Sequence, residues 1–555
     1  MSAILDAPPA ERRTLPPLSG HKAAVTLLLV AMVAVAAWAY AETAPDPAQI
    51  ARGVDYAGDF LARTVPFVWP TWGEVLWYST LTLAIVICGT VLAAVLSLPV
   101  AYLAARNTSP LATTRWLGRT LSVVSRAAPD AFMAAIFALV FGQGALAGIL
   151  ALGLHSVGMI SKLTADAIEQ IDEGPRTALR ATGATRSQEF WAGIWPQIMP
   201  AFIATTLHRM DINLRVSVIL GFVGVAGLGY ELSHHLQTLN YREAMPYAII
   251  IFVLCVVFEM VSSAVRKVLL GVEGAGPRRT RGAAAGPSGS GTAPEVSRRR
   301  PWDRTRVTNS AFAWGALLIV VASVAVSATQ GSSFVNFWQN AAIAWHRLWP
   351  PMLAPEKWLP LLEALLVTMQ IALAATLFAL VFSAIIGSFA ARNVAPNGTV
   401  RSIFRGLLVV IRGIPELLLA FFLIILTGLG SSAAMLALGI GGIGLLGKLL
   451  ADSMEEVNPG PERALRATGA TRLQIFGAAT LPLSAPAWVG HTLYLLDSNF
   501  RAATILGVVG APGIGFMLMQ ASRINHHEML MMLICVFVVV LLLELLSSWI
   551  RKHVK

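Results

Sequence analysis

Charged residues are scarce in this sequence. Asp, Glu, Lys and Arg make up 13% of the 555 residues, whereas roughly 25% is usual in globular domains, and hydrophobic residues make up 56%. The mean hydropathy is +0.67. This composition argues against the string of soluble domains that the length alone would suggest, and it predicts a protein embedded in a lipid bilayer.

Cysteine is also rare. The three cysteines, Cys88, Cys255 and Cys535, all lie within apolar runs. Their placement argues against a disulfide framework and against a cysteine-based metal site, and it favours small, buried, hydrophobic side chains. No other metal site is predicted from the sequence.

Acidic residues are fewer than basic ones. The chain has 30 Asp and Glu against 41 Lys and Arg, a formal charge of +11. In a membrane protein such a surplus first describes topology, because Lys and Arg concentrate in cytoplasmic loops. No nucleic-acid partner is predicted.

The sequence does contain a long internal repeat. The run ALRATGATR occurs at 178–186 and again at 464–472, a displacement of 286 residues, and 16 of the 25 positions from Lys162 to Arg186 are identical in the second copy. The same displacement pairs polar residues elsewhere: Arg126 with Arg412, Asp211 with Asp497, Asn213 with Asn499, and Arg215 with Arg501. The chain therefore consists of two copies of one unit.

The repeat divides the chain into a first half at residues 1–270 and a second half at 306–555. The closest correspondence lies in two cores, at about 75–267 and 362–552. Between the halves, residues 271–305 are rich in Gly, Pro, Ser and Arg. Because such a composition cannot bury a core, this segment is predicted to be a disordered, basic, cytoplasmic linker.

Each half contains six stretches of about 20 apolar residues, the length that crosses a bilayer as a helix. They lie near 22–41, 76–104, 129–147, 146–163, 198–222 and 246–265, and again near 310–329, 362–390, 415–433, 432–449, 484–508 and 530–550. We expect an all-α, multi-pass membrane protein with about six transmembrane helices in each half, the halves being related by a pseudo-two-fold axis. An even number of crossings and basic end segments predict that both termini are cytoplasmic.

The loop between the fourth and fifth stretches is amphipathic and occurs in both copies. Gly174 and Pro175 suit the start of a short helix, because proline is tolerated in the first turn. Gly183 suits the end of that helix, where a left-handed backbone conformation is often needed. Pro196 follows thirteen residues later. The sequence predicts two short helices joined at a glycine.

This loop resembles the EAA loop of ABC-importer membrane subunits. Further phrases, namely AARN, R-x-x-P-[DE], ALRATGAT, LDSNFRAATILG and GxGF, resemble the permease of phosphonate ABC importers across both cores. The resemblance implies a type I ABC importer (MetI-like) permease fold in a bacterial inner membrane, with two usually separate chains fused into one. The chain departs from the motif where its opening glutamate is replaced by Thr177 and Arg463, which implies an altered docking contact.

The resemblance also implies partners. Two copies of a separate cytoplasmic ATPase carrying Mg-ATP, and an extracytoplasmic binding protein for phosphonate or phosphate, are expected to assemble with one fused chain in the bilayer. The chain itself is expected to be neither an enzyme nor the holder of a cofactor. The residues expected to couple to the ATPase are Ala178, Arg180, Thr182, Gly183 and Ala184 in the first loop, and Ala464, Arg466, Thr468, Gly469 and Ala470 in the second.

Two glycine patterns in the second half could be mistaken for nucleotide sites. Residues 442–448 read GIGLLGK, like a phosphate-binding loop, but Leu449 follows where Ser or Thr is required, and 439–444 spells GxGxxG. Both patterns lie in a stretch predicted to be a membrane helix, so the glycines are expected to permit close helix packing. ATP hydrolysis is therefore expected on another chain.

Ionisable residues within the fifth stretch of each half are candidates for function, because each costs ~3 kcal/mol on insertion scales. The pairs are Asp211 with Arg215 and Asp497 with Arg501, with Asn213 and Asn499 between them. The i,i+4 spacing puts each pair on one helix face. Two interpretations are open: the pairs only lock helices together, or the two arginines meet on a central path and bind phosphonate oxygens while the acids moderate the field.

A second candidate set marks the cytoplasmic mouth of the path. Arg126 and Arg412 come just before a proline that can start a helix, and Asp130 and Glu416 follow that proline. Acids suit the positive end of the helix dipole. Helix capping and a gate are therefore both open interpretations of the two acids. All four residues are candidates for a cytoplasmic gate.

Secondary transporters of the major-facilitator type are the alternative, because two six-helix halves around a basic linker describe them too. Those proteins typically carry a Gly-Asp-Arg-Gly motif between their second and third spans, where this chain reads RNTSPLATTRWLGR. They also lack the duplicated loop. Within the favoured class, the sequence leaves phosphate, phosphite and phosphonates open as substrates.

Overall fold

The computed structural model of the protein describes residues 20–127, 129–270, 304–330, 336–507 and 510–554. These ranges contain helices and connecting turns and no β-strand. The linker predicted at 271–305 lies outside them, apart from its last two residues.

The helices follow the same order in both halves. The first half contains α1 (Gly20–Thr43), α2 (Pro47–Thr64), α3 (Trp72–Ala104), α4 (Ala112–Ala127), α5 (Asp130–Phe141), α6 (Ala145–Glu169), α7 (Glu173–Ala181), α8 (Arg186–Glu189), α9 (Trp195–Gly221), α10 (Leu228–Gln237) and α11 (Tyr241–Leu270). The second half contains α12 (Arg304–Ala328), α13 (Phe337–Leu348), α14 (Trp358–Ala390), α15 (Gly398–Gly413), α16 (Glu416–Thr427), α17 (Ser431–Glu455), α18 (Pro459–Ala467), α19 (Arg472–Ile475), α20 (Leu481–Leu506), α21 (Ile514–Ile524) and α22 (His526–Val554).

Eight of the described helices are long and apolar enough to cross a bilayer: α1, α3, α6, α11, α12, α14, α17 and α22. Two bent pairs, α4 with α5 and α15 with α16, raise the number to ten if each pair is one span. Helices α9 and α20 are 27 and 26 residues long, which is enough for a bilayer, but polar residues interrupt them. The predicted six crossings per half are reached only when the bent pairs and these two polar helices are included.

The third predicted stretch of each half is shorter than expected. Helices α5 and α16 have 12 residues each, ~18 Å at 1.5 Å per residue, which is less than the ~30 Å hydrocarbon core. A proline precedes each helix, and Gly142 and Gly428, at φ +82° and +78°, end them. The apolar stretches predicted near 129–147 and 415–433 therefore each begin with a short helix that leaves its predecessor at a sharp bend.

Glycines allow the long helices of each half to pack closely. A Cβ atom on Gly387 in α14 would lie 2.7 Å from the carbonyl oxygen of Gly447 in α17, and one on Gly89 in α3 would lie 3.2 Å from that of Ile149 in α6. The stretch that resembles a phosphate-binding loop, 442–448, lies inside α17. Its glycines serve helix packing, as expected from the sequence.

The repeat is also visible in equivalent hydrogen bonds. Asn213 Nδ2 donates to Thr90 Oγ1 at 3.0 Å, and Asn499 Nδ2 donates to Thr376 Oγ1 at 2.9 Å. These four positions are related by the displacement of 286 residues, so the two sequence copies fold as two copies of one structure.

The outer helices of each half pack on the opposite half. α1 lies against α14, and α12 lies against α3. Tyr40 in α1 stacks on Phe378 in α14 with ring centroids 6.4 Å apart, and Phe337 in α13 stacks on Phe141 at the end of α5 at 5.4 Å. The two halves therefore interlock into a single bundle, with the central helices enclosed between them.

Candidate functional site

Sharp bends place one arginine of each half at the boundary between the halves. α4 meets α5 at 91° and α15 meets α16 at 86°. Pro129 and Pro415 lie at the bends in extended backbone, with ψ of 136° and 130°. Proline suits this place because it has no N–H to donate to a continuing helix. The last arginines before the bends, Arg126 and Arg412, are called the kink arginines below.

A glycine in the neighbouring helix lets each bend come close. A Cβ atom on Gly444 in α17 would lie 2.8 Å from the backbone nitrogen of Arg412. A Cβ atom on the equivalent Gly158 in α6 would lie 3.1 Å from that of Arg126. These close approaches fix the backbone position of each kink arginine. A larger residue at either glycine would push that backbone away.

Arg412 joins the second half to the first through a buried ion network. Its Nη2 lies 2.8 Å from Asp211 Oδ2, 2.9 Å from His208 Nδ1 and 3.5 Å from Glu259 Oε2. Arg412 is 7% exposed and both acids are buried as well. One guanidinium from the second half thus contacts two carboxyl groups of the first half.

Arg126 makes the equivalent connection in the other direction. Its Nη2 lies 2.7 Å from Glu544 Oε1 in α22 of the second half. Lys162 and Arg551 also approach that carboxylate, at 3.7 and 3.8 Å. Both kink arginines therefore make ion pairs across the boundary between the halves.

The i,i+4 pairs predicted within α9 and α20 are present. Arg215 Nη2 lies 2.7 Å from Asp211 Oδ2, and Arg501 Nη2 lies 2.9 Å from Asp497 Oδ2. The Nη1 atom of each of these arginines also donates to the backbone carbonyl of the kink arginine of the opposite half. The pairs therefore contribute to holding the halves together.

The same arginines also face a cavity. It has a volume of about 180 Å³ and lies between the halves, lined by α5, α6 and α9 on one side and by α15, α16, α17 and α20 on the other. The charged side chains that line it are Arg209, Arg215, Arg412, Arg501, Asp130 and Glu416. We call it the central cavity. Four guanidinium groups against two carboxyl groups make its wall suited to an anion.

The remaining predicted site residues lie behind the wall of the central cavity. Asp211 and Asp497 hold the arginines that face it, and they are absent from its lining. Asn213 is fully buried and also accepts from Ser156 Oγ at 3.0 Å, so it connects α9 with α3 and α6. Asn499 connects α20 with α14 in the same way. These side chains position the wall rather than contribute surface to it.

One charged residue of the central cavity was missed by sequence reasoning. Arg209 is 6% exposed, and its Nε donates to Ser156 Oγ at 2.8 Å. The repeat pairs it with Leu495, so the comparison of the two copies does not single it out. An arginine two positions before Asp211 within an apolar stretch was the signal that could have revealed it.

The duplicated loops form two short helices joined at a glycine, as predicted. α7 begins after Asp172, whose side chain accepts from Gly174 N, and Gly183 follows the helix at φ +80°. Gly469 has the same φ in the second loop. The exposed predicted coupling residues are Ala178, Arg180, Thr182, Gly183, Ala464, Arg466, Thr468 and Gly469, and Ala184 and Ala470 are half-buried.

Each loop is held in place by a buried carboxylate, although the two carboxylates occupy different positions. In the first loop Glu189 receives hydrogen bonds from Arg176 and Arg180. Burial alone would raise the pKa of Glu189, but these two guanidinium groups hold the pKa below its ordinary value. In the second loop Glu462 accepts from Thr480 Oγ1 at 2.6 Å and from Asn393 Nδ2 at 2.9 Å. Although Thr177 and Arg463 replace the motif glutamate, each loop is still held by a buried carboxylate.

The described residues contain no group of three or more His, Cys, Asp or Glu side chains that could hold a metal ion. Within those ranges, the three cysteines are free thiols.

Comparison with known proteins gives consistent matches over both halves. The family described as binding-protein-dependent transport system inner membrane component matches residues 97–270 and 383–555. The phosphate-import permease protein PhnE of Mycolicibacterium smegmatis is 38% identical over 473 residues, which cover 85% of this chain and 84% of that protein. The phosphite transport system permease protein PtxC of Stutzerimonas stutzeri is 41% identical over 186 residues, 34% of this chain and 68% of that one.

A solved structure is also similar. A chain of the MetNI methionine ABC transporter in an inward-facing conformation aligns over its whole length with 37% of this chain, at 22% identity and a TM-score of 0.35.

Proposed function

Because the chain belongs to the family of binding-protein-dependent transport system inner membrane components, we propose that it forms the translocation pathway of an ATP-driven importer for phosphonates or related phosphorus oxyanions. Phosphate and phosphite are included in this class, and the names of two relatives, a phosphate-import and a phosphite permease, support the choice. The chain is a permease subunit of an ABC importer, and both halves contribute to one pathway.

The central cavity is the observation that carries the proposal. Guanidinium groups from both halves meet there, and a planar guanidinium offers paired N–H donors that match the oxygens of a phosphoryl group. Engineered protein cavities of about 150 Å³ bind benzene. A cavity of about 180 Å³ therefore accommodates an oxyanion with five heavy atoms and leaves room for a small substituent.

The wall also satisfies the need for release. A transport site must bind its substrate weakly enough to let it leave. Asp211 and Asp497 neutralise part of the charge of Arg215 and Arg501 from behind the wall. Asp130 and Glu416 add two carboxyl groups at the wall itself. These four acids weaken the attraction of the cavity for an anion and leave its volume free.

Energy coupling is assigned to the two duplicated loops. Each presents exposed polar residues around a left-handed glycine, at Gly183 and Gly469, and each continues directly into α9 or α20, the helices that carry the arginines. We assign to these loops the docking of two copies of a separate cytoplasmic ATPase that binds Mg-ATP. This orientation puts both termini in the cytoplasm and the delivery of substrate by a binding protein at the opposite membrane face.

Leu473 in α19 offers a test of this docking, because its apolar side chain is 79% exposed. Burial of one such side chain at the centre of an interface contributes about 2 kcal/mol, so Leu473→Glu is expected to weaken association with a co-expressed ATPase roughly 30-fold. The matched control is Leu429→Glu, at a residue that is 75% exposed beside the turn between α16 and α17. The measurement is co-purification, together with ATP hydrolysis in the presence of phosphate-loaded binding protein.

We expect the control to retain the ATPase and its stimulation by the loaded binding protein. Equal retention of the ATPase by Leu473→Glu and by the unchanged protein would contradict docking at the second loop. A chain that never co-purifies with the ATPase would contradict the proposed function.

A further inference from the structure

The two halves present different residues to the central cavity at several equivalent positions. With the displacement of 286 residues, the first half has Arg209 where the second has Leu495, His155 where the second has Gly441, His208 where the second has Tyr494, and Ile212 where the second has Ser498. All but Leu495 line the cavity. A ligand there meets two unlike walls.

The two carboxyl groups of the wall differ most. The Oδ1 atom of Asp130 lies 2.7 Å from His155 Nδ1, so this carboxyl group has a partner within the protein. Glu416, its equivalent, has Gly441 at the place of that histidine, and a Cβ atom on Gly441 would lie 3.1 Å from Glu416 Cγ. Among the described residues Glu416 makes no hydrogen bond and no ion pair within 4 Å, and Arg215 acts on it only through a longer-range charge interaction. Its carboxyl group is available to a ligand.

Arg209 supplies an available donor on the facing wall. Its Nε is held by Ser156, whose Oγ in turn donates to Asn213, so the guanidinium is fixed in place. Its Nη2 is buried and has no hydrogen-bond partner in the described part of the chain. Because a buried guanidinium N–H without a partner is costly, this atom suggests a ligand that completes its hydrogen bonding.

We propose that an oxyanion binds between these two groups, with Arg209 Nη2 donating to an unprotonated oxygen and Glu416 accepting from an oxygen that carries a proton. This inference rests on the proposed function and specifies its substrate: the cavity takes oxyanions that bear an X–OH group, such as hydrogen phosphate or a hydrogen phosphonate. Sulfate has the same shape and has lost both protons at neutral pH. It can satisfy Arg209, but it would place an oxygen lone pair against the Glu416 carboxylate.

The size of the discrimination follows from the position of both groups in the wall of the cavity, where Arg209 is buried and Glu416 is half-buried. A site that hydrogen-bonds a substrate OH can reject an analogue without it by as much as ~10⁴-fold, because its own polar group is left without a partner. In a cavity shared with four arginines, which attract any anion, we expect at least roughly 100-fold preference for phosphate over sulfate.

The test is equilibrium binding of radiolabelled phosphate to the full chain in lipid nanodiscs, with methylphosphonate and sulfate as competitors at neutral pH. Methylphosphonate is expected to displace phosphate at similar concentrations, and sulfate only at concentrations roughly 100-fold higher or more. Glu416→Gln keeps the shape of the side chain and adds an amide donor that sulfate can use. The preference for phosphate should then fall to less than about tenfold.

Two further variants complete the design. Arg209→Leu copies the residue that the second half has at this position and should weaken phosphate binding about 10- to 100-fold, the value of a hydrogen bond to a charged group. Glu363→Gln alters an exposed glutamate of α14 and should leave both affinities unchanged.

Equal affinity of the unchanged chain for phosphate and sulfate would overturn the inference, and so would a Glu416→Gln variant that keeps the original preference. The first comparison needs no variant to fold. If either result occurs while the assembled transporter still imports phosphate with ATP, the proposed function stands and only the selection mechanism fails. If the assembled transporter imports no phosphorus oxyanion, the proposed function fails as well.

Discussion

Phosphate import is expected to fall at least 100-fold when Arg215 and Arg501 are both replaced by alanine. Each arginine faces the central cavity and can donate a hydrogen bond to a bound anion. A hydrogen bond to a charged group contributes about 1.5–3 kcal/mol to binding. Two such losses correspond to about 3 kcal/mol or more, or at least two orders of magnitude in affinity. The measurement is uptake of radiolabelled phosphate by the assembled transporter in proteoliposomes.

The design must separate transport from folding. In Arg215→Ala, Asp211 keeps its contact with Arg412 at 2.8 Å. In Arg501→Ala, the structure gives Asp497 no other ion pair among the described residues, so Asp497→Asn is added to remove the stranded charge. Arg119→Ala is the control, because Arg119 is half-exposed in a surface pair with Glu169. Surface pairs contribute about 0–1 kcal/mol, and uptake should be unchanged.

Full import by arginine variants that insert normally would support the other interpretation of the i,i+4 pairs, in which they only lock helices together. The structure shows that this locking exists, because both arginines bond to the opposite half. The transport role that we propose for Arg215 and Arg501 rests on their position at the central cavity.

Arg412→Ala is expected to destabilise the protein by about 3–5 kcal/mol, the loss found when one partner of a buried ion pair is removed. Without Arg412, Asp211 and Glu259 lose the guanidinium that both carboxyl groups contact, and Asp211 keeps its ion pair with Arg215. The change should lower the thermal unfolding temperature of the purified chain in detergent. Adding Glu259→Gln should restore part of the loss, because it removes one of the two crowded carboxyl groups.

The repeat supplies a matched comparison for this prediction. Arg126→Ala removes the equivalent kink arginine, but Glu544 keeps Lys162 and Arg551 within 4 Å, so a smaller loss is expected. The order should be Arg412→Ala, then Arg126→Ala, then the surface variant Arg119→Ala. Equal effects of the first and third changes would contradict the ion network as the connection between the halves.

Local sequence signals predicted much of this architecture. Glycine at a helix end predicted the left-handed turns at Gly183 and Gly469, and i,i+4 spacing predicted the ion pair between Asp211 and Arg215. These features depend on residues within one or two helical turns of each other. Because the sequence is repeated, the same features were predicted for the second half, and the structure has them there too.

Features that depend on how the halves meet could not be predicted in this way. Nothing within one copy indicates that Arg412 reaches Asp211, more than 200 positions earlier in the chain, or that α1 packs on α14. Hydropathy also cannot distinguish a straight span from the bend at Pro129 followed by a helix of 12 residues.

The repeat itself concealed the asymmetric part of the site. Arg215 and Arg501 occupy equivalent positions of the two copies, whereas the equivalent of Arg209 is Leu495. In a fused pair each copy can change independently, so a charged residue in an apolar stretch is informative even without an equivalent.

ATP-dependent uptake of radiolabelled phosphate by proteoliposomes is the most direct test of the central claim. The vesicles contain this single chain and its ATPase, and the binding protein is supplied on the substrate side. We expect phosphate to accumulate only when ATP and the binding protein are both present, and to do so without any ion gradient. Accumulation driven by a proton or sodium gradient, in vesicles that contain this chain and no ATPase, would contradict the account and favour a secondary transporter.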